Sequence, residues 1–294
     1  MSTPSKIVTH PGGAHKDDFL AVCLLLGQFE LPVERRDPTP EDLSDDTVAV
    51  IDVGGEHDPE KLNFDHHQFS REEQPRCAIT LILEHLGILE EARKFCDWLE
   101  TAEWMDVRGP NVTAGWLEVS REQMARLNSP IDIGMIRRFG SCQELNPGEP
   151  LHQVMTWVGA DLASYLEGMR GRIALAREKG QRWSLKTKSG ETFEVLFYER
   201  TEELPDEPSS LMAQWARAEG WQDEIAVLVY PDSRGEGYGM ARYQDHPRFD
   251  FTRIEGVEGV HFTHASGFLA KTSVTDQEQL KSFIRRAILP ESAD

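Results

Sequence analysis

The chain places His10, His15, Asp17, Asp52, Asp65, His66 and His67 within its first 67 residues, each beside a glycine-rich turn or at the end of a short apolar run. Imidazoles and carboxylates are the side chains that hold divalent cations, and this set is enough for two ions. Thr9 to Asp18 follows the short run Ile7-Val8 and leads into the apolar segment Phe19 to Leu26, so it reads as strand, tight loop and helix. Val48 to Gly55 is a β-branched strand whose last turn carries Asp52 before two glycines break it. Asn63 to His67 sets two imidazoles side by side in a segment too short and polar to be core. Singly, each piece has an ordinary explanation: Asp17 as a helix cap, His10 as a loop histidine, Asp65-His66-His67 as a solvated turn. Together the three clusters fall where an open α/β sheet presents the carboxyl ends of its strands, which is where such sheets bind ligands.

A two-ion centre needs a further carboxylate from later in the chain, and the candidates are Asp97, Glu103 and Asp106. Over Ala92 to Met105 the apolar stripe runs Phe95, Leu99, Ala102, and the next position on that face is Asp106. A carboxylate ending a buried face needs a partner, because an unpaired buried charge is costly, and a cation would supply it. Helical phase therefore selects Asp106, with Asp97 and Glu103 as the alternatives.

The set His10, His15-x-Asp17, Asp52 and Asp65-His66-His67 resembles the DHH phosphoesterase superfamily, and more closely the melanocyte proliferating gene protein family. The resemblance continues through Asp52-Val53-Gly54-Gly55, Asp58 to Lys61, Phe64 to Gln68, Ala125 to Asn128 and the C-terminal His264-Ala265-Ser266-Gly267-Phe268, so it covers nearly the whole chain. Lys16 and Asp18 depart from the Cys and Glu common in that family, and neither is a presumed ligand. The resemblance implies that one ion takes His10, His15, Asp52 and Asp106 and the other Asp17, Asp52 and His66, with Asp52 bridging. It also implies that Asp65 orients a neighbouring imidazole, that His67 faces the phosphate, and that Glu103-x-x-Asp106 closes the site.

Two divalent ions roughly 4 Å apart can clamp one phosphate and activate a water for in-line attack. Mixed imidazole and carboxylate donors without thiolate suit manganese, with magnesium or another divalent ion as the alternative. In the C-terminal signature, Ser266-Gly267 offers backbone N–H groups at a tight turn, and His264 and Lys271 are polar or cationic groups able to meet a phosphate or ribose.

The 294 residues predict two domains: 1–180, an α/β domain with a mainly parallel sheet and covering helices, and 181–294, a smaller α+β domain. In the first, strands at Ile7-Val8, Glu34 to Arg36 and Val48 to Val53 alternate with a helix over Phe19 to Phe29. Helices follow over Cys77 to Leu89, Glu90 to Met105, Arg121 to Leu127, Ile131 to Arg138 and Leu151 to Glu178, the last either kinked or divided at Gly159, Gly168 and Gly171. From Trp183 the period becomes two, giving strands at 183–187, 192–198 and 225–230, a hairpin turn at Lys188 to Glu191, a helix over Ser209 to Ala218 and a further strand near Tyr238.

With 31 Lys plus Arg against 51 Asp plus Glu, the net charge is -20. Proteins that track long nucleic acid carry a basic stripe, and none is obvious. A short oligonucleotide or small phosphoester is therefore favoured over duplex DNA, and the resemblance implies short single-stranded RNA as the partner. Four dispersed cysteines without Cys-x-x-Cys spacing, no secretory signal and no membrane-length apolar run predict a cytoplasmic address. The oligomeric state is open, with a homodimer among the options. The resemblance implies a manganese-dependent 3′-to-5′ RNA exonuclease. A hydrolase of a small nucleotide is the alternative, and a catalytically silent binding protein is disfavoured because no presumed ligand is replaced by an inert residue.

Overall fold

The structure is a computed structural model that describes residues 3–70, 72–187 and 189–290. It divides into two compact units, residues 1–168 and 169–294.

The first unit is built on strands β1 (Lys6–Thr9), β2 (Val33–Arg35), β3 (Val48–Ile51), β4 (His57–Asp58), β5 (Asn63–Phe64) and β6 (Glu144–Leu145), in the sheet order β4-β5-β3-β1-β2-β6. The pairs β1-β2, β1-β3 and β3-β5 are parallel, and the two edge pairings are antiparallel. Buried on both faces, β1 and β3 are the continuous apolar runs expected of central parallel strands. The register is what positions the site. Thr9 stands opposite Ile51, and Ile51 opposite Phe64, so the next residues, His10, Asp52 and Asp65, all leave the sheet at one edge. The short β4, β5 and β6 carry too little pattern to be seen in the sequence, and β2 begins one residue before the expected Glu34.

Helices α1 (Lys16–Gln28), α2 (Pro40–Ser44), α3 (Ala78–His85), α4 (Leu89–Phe95), α5 (Asp97–Arg108), α6 (Pro110–Trp116), α7 (Arg121–Arg126), α8 (Pro130–Gly140) and α9 (Pro150–Lys179) accompany this sheet. Helix α1 buries Phe19, Val22, Cys23, Leu24, Leu25 and Leu26 in the core of the unit, each large apolar side chain contributing roughly 1.5–3 kcal/mol relative to exposure.

Two sequence expectations are corrected. The helix expected over Glu90 to Met105 is two, because Cys96 takes non-helical angles (φ -114°, ψ 87°), its N–H closing α4 on Ala92 while its carbonyl opens α5. Helix α9 runs unbroken for 30 residues despite its glycines. Gly159 serves packing rather than interruption: a Cβ there would lie 1.6 Å from the carbonyl oxygen of Cys23, and one on Gly27 would lie 2.4 Å from the amide nitrogen of Ala160. The α1 and α9 backbones touch at these glycines.

The division between the units falls inside α9, whereas the expected boundary, Gly180, begins β7 (Gly180–Lys186). The second unit continues with β8 (Thr192–Tyr198), α10 (Pro208–Ala218), β9 (Ile225–Pro231), β10 (Tyr238–Arg242), β11 (Val260–Thr263), β12 (Leu269–Thr272) and α11 (Gln277–Ala287). Its sheet order is β11-β12-β10-β9-β8-β7, mixed because β8 and β9 are parallel and joined through α10. Alternate residues of β7 and β8, among them Trp183, Leu185, Phe193, Val195 and Phe197, share a core with Leu280, Phe283 and Ile284 of α11. In the expected turn at Lys188 to Glu191, Lys188 lies outside the described residues. No helix among the described residues is long and apolar enough to cross a membrane.

Candidate metal centre

A cleft of about 470 Å³ opens at the carboxyl ends of β1, β3 and β5, lined by His10, His15, Asp52, Asp65, His66, His67 and Asp106 among others. A separate groove of about 500 Å³ between Phe19, Trp98, Met135 and Trp157 is apolar and brings no imidazoles or paired acids together.

Asp52 takes a left-handed backbone conformation (φ 59°), followed by Gly54 (φ 104°) and Gly55 (φ 74°). Asp tolerates this region better than a β-branched residue, and the reversal ends β3 and turns the carboxylate into the cleft. His66 Nε2 lies 2.9 Å from Asp52 Oδ1 and 3.0 Å from Asp106 Oδ2. Burial opposes the charge on His66, but the carboxylates of Asp106 and Asp52 outweigh it and push its pKa up to about 10. Asp106 is held below the ordinary carboxylate range, His66 outweighing burial, and Asp52 is raised because burial outweighs His66. His15 Nδ1 stands 3.5 Å from Asp106 Oδ1. Asp17, in the first turn of α1, is fully buried, and neither carboxylate oxygen has a hydrogen-bond partner. Burial, then the charges of Asp52 and Asp106, push its pKa well up.

Such a buried carboxylate is costly to ionise without a counter-charge, and the donors around it are those that hold a divalent ion. Asp52, His66 and His67 each offer a ligand atom within 4.8 Å of the others, as do His15, Asp17 and Asp106. The residues present therefore fit a metal centre. This grouping differs from the ligand sets the resemblance implies, which pair His10 with His15 and Asp17 with His66.

Asp65 lines the cleft beside His67. It accepts from the Gly55 N–H at 2.6 Å and the His67 N–H at 3.1 Å, and its Oδ1 lies 2.6 Å from His67 Nδ1. With Nδ1 so engaged, the outer nitrogen of His67 is left free of Asp65, on a side chain 64% exposed. The segment is not the solvated turn its composition suggested: Asp65 and His66 are buried, because β5 carries them beneath the cleft.

The three later acids separate cleanly. Asp106 faces the cleft, whereas Glu103, buried one turn earlier, is clamped by Arg93 at 2.6 Å and by the Thr80 hydroxyl at 2.5 Å, tying α5 to α4 and α3. Asp97 is exposed at the start of α5. Lys16 pairs with Asp132 of α8 at 2.9 Å.

His264, Ser266, Gly267 and Lys271 lie in the second unit. The loop between β11 and β12 is a turn in which the Gly267 N–H donates to the His264 carbonyl at 2.8 Å and the Ser266 N–H to His264 Nδ1 at 3.1 Å. Both backbone donors expected to meet a phosphate are thus used within the turn. Gly267 is required there: its φ is 68°, and a Cβ would lie 2.1 Å from Asp250 Oδ1. Lys271 donates to Asp232 Oδ1 at 2.8 Å, and the His264 ring packs on Phe268 at 4.1 Å.

Two residues near the centre carried no functional reading in the sequence. Asp18 is fully buried and accepts the His15 N–H at 2.7 Å, capping α1. Arg35, at the end of β2, donates to the carbonyls of His10 at 3.0 Å and Gly12 at 3.3 Å and so fixes the metal loop from below. The doubled acid in a helix first turn was a signal for Asp18. Arg35 had none, because only the pairing of Thr9 with Arg35 brings it under the loop.

The Asp65-His66-His67 run thus lines a cleft of imidazoles and acids at parallel strand ends. Residues 6–81 match the MYG1_exonuc family, described as an uncharacterised protein family (UPF0160). Over 72 residues the chain is 40% identical to the MYG1 exonucleases of Bos taurus and Homo sapiens, a segment covering 24% of this chain and 19% of either relative. It is also 40% identical over 73 residues to the MYG1 protein of Chlamydia trachomatis serovar D, covering 24% of this chain and 25% of that protein. The chain thus spans about a fifth to a quarter of the length of these relatives. Among solved structures, the DHH domain of a member of a family of ribosomal proteins aligns over 95% of this chain and 85% of its own, at 13% identity and a TM-score of 0.33.

Proposed function

We propose that this chain is a metal-dependent phosphodiesterase that hydrolyses short RNA or oligonucleotides from an end, with manganese as its ion. The observation that supports this most directly is Asp17, fully buried with both carboxylate oxygens unpartnered beside His15, Asp106 and Asp52. His10, His15, Asp17, Asp52, His66 and Asp106 would hold two divalent ions. When bound, such ions neutralise phosphate charge and lower the pKa of a water.

The chain's own groups do the rest. Asp65 fixes the His67 ring through Nδ1, so that its outer nitrogen can hold or deliver a proton to a phosphate or leaving oxygen at the cleft mouth. Arg35 holds the His10 to Gly12 backbone from beneath, which orients the loop. The net charge of -20 favours a short substrate, and for the same reason a small nucleotide is the second reading. In the second unit, His264, Ser266 and Lys271 are proposed to meet substrate through side chains, with Gly267 shaping the turn beside them, given that this turn consumes its own N–H groups.

The experiment is a panel: purified chain with Mn2+ or Mg2+ against dinucleotides, short RNA, short DNA, cyclic dinucleotides and pyrophosphate. Metal-dependent release of mononucleotides from short RNA supports the reading, and cleavage of pyrophosphate alone or of nothing overturns it.

A further inference from the structure

Asp17 and Asp18 are consecutive acids in the first turn of α1, and neighbouring helical positions point about 100° apart. Both are fully buried, yet only Asp17 was a presumed ligand. A buried carboxylate must be hydrogen-bonded, paired or bound to a cation. Asp18 Oδ1 is satisfied by the His15 N–H at 2.7 Å. Its Oδ2 has no hydrogen-bond partner. It lies 3.2 Å from His10 Nε2 and 3.7 Å from Arg35 Nη2, and Arg35 directs that nitrogen at the His10 and Gly12 carbonyls instead.

His10 decides what Oδ2 faces. Its Nδ1 lies 3.0 Å from the Pro11 carbonyl, which can only accept, so Nδ1 carries a proton and Nε2 is the nitrogen left to take up a cation. That nitrogen lies 3.2 Å from Asp18 Oδ2 and 3.5 Å from Asp52 Oδ2, and it too lacks a hydrogen-bond partner. Lone pairs gathered in this way repel unless a cation lies among them. Donors about 2.1 Å from one ion stand about 3.0 Å apart at right angles and about 3.4 Å apart at tetrahedral angles, close to the 3.2 and 3.5 Å from His10 Nε2 to the two carboxylates.

We infer that Asp18 Oδ2 is a ligand of the cation that His10 Nε2 and Asp52 Oδ2 bind. The inference rests on the reading of the cleft as a metal centre. Asp18 then has two tasks with two oxygens: Oδ1 caps the helix that presents Asp17, and Oδ2 supplies charge to the His10 side of the centre. Arg35 limits the repulsion on that side by holding a positive charge close to Oδ2.

The substitution Asp18→Asn keeps a carbonyl oxygen for the His15 N–H and nearly the same volume while removing the second anionic oxygen. Mn2+ binding to the full wild-type and D18N chains, measured by calorimetry and Mn2+ electron paramagnetic resonance, should show one ion bound at least about tenfold more weakly in D18N. The other ion should be retained, and the melting temperature of the chelated protein should not fall. Two ions bound with wild-type affinity overturn the inference. Should D18N fail to fold, the Mn2+-loaded wild-type crystal structure decides, with anomalous scattering locating the ions. Asp18 Oδ2 within bonding distance of Mn2+ supports the inference, and two ions with neither touching Asp18 overturn it alone. A wild-type chain that binds no Mn2+ overturns both this and the reading of the cleft.

Discussion

Asp52 Oδ1 and His66 Nε2 meet at 2.9 Å, although one leaves the sheet at the end of β3 and the other follows β5. The parallel pairing of Ile51 with Phe64 causes the meeting, because it sends both chains out of the sheet at the same level. Asp106 reaches the same nitrogen from α5 at 3.0 Å. An imidazole between two carboxylates holds a proton where, on the proposed metal-centre reading, a divalent ion would take its place.

Asp52 touches both sides of the centre, standing 2.9 Å from His66 and 3.5 Å from His10. Asp52→Ala is therefore expected to lower Mn2+ occupancy at both positions and to cut hydrolysis by at least about a hundredfold. Metal analysis of the purified variant beside its turnover checks this. Two retained ions with near-normal turnover would remove Asp52 from the mechanism.

Asp106 and Glu103 lie one helical turn apart and should fail in different ways. Asp106→Asn is expected to cost orders of magnitude in rate while the chelated protein unfolds close to the wild-type denaturant concentration. Glu103→Gln keeps one carbonyl oxygen for Thr80 but removes the charge and the second oxygen that hold Arg93, and because Arg93 is 40% exposed the loss should be about 1–3 kcal/mol rather than that of a fully buried pair. Urea unfolding and single-turnover rates on both variants separate the roles. Equal stability loss in the two would mean that Asp106 is a packing residue.

The metal-free protein should lose stability as pH rises. His66 is raised from an ordinary value near 6.5 to about 10, so its contribution is complete below about 6.5 and disappears as pH climbs through about 10. Asp17 is also raised, by burial, and a raised carboxyl likewise favours the folded state at the acid side and less so as it ionises. The two signs agree. Urea midpoints of chelated protein at pH 6, 7.5 and 9 should fall in that order, and Mn2+ should reverse the trend by replacing the proton on His66. A chelated protein more stable at pH 9 than at pH 6 would contradict the proton bridge.

What the sequence revealed of this site follows the physics of each part. The ends of β1 and β3 were visible because buried parallel strands are continuous apolar runs broken by Pro11 and by Gly54-Gly55. Asp106 was visible through helical phase, even though Phe95, counted on the same stripe, belongs to α4. Strand β5 is only Asn63-Phe64, too short for periodicity, so the burial of Asp65 and His66 was hidden. Arg35 was hidden for a different reason: its contacts with His10 and Gly12 arise from strand pairing, which local pattern does not encode. The glycines of α9 misled because Gly159 answers to the Cys23 backbone across a helix contact, not to its own helix.

Substrate length is where overall charge and local chemistry oppose each other. The cleft of about 470 Å³ needs one phosphate among its ligands and a few further contacts, while a chain with a net charge of -20 repels each additional phosphate lying along it. Affinity should rise over the first few nucleotides and then level off, with a salt dependence corresponding to far fewer phosphate contacts than the roughly 6 to 10 of a duplex-tracking protein. Binding of RNA of increasing length to a metal-loaded His67→Ala variant at two salt concentrations measures both quantities. His67 is the right position to change, because its side chain is 64% exposed at the cleft mouth and is held by Asp65 rather than by the core. Affinity that keeps climbing to long RNA with a steep salt slope would require a continuous cationic track, and would make the protein a processive exonuclease rather than one of short chains.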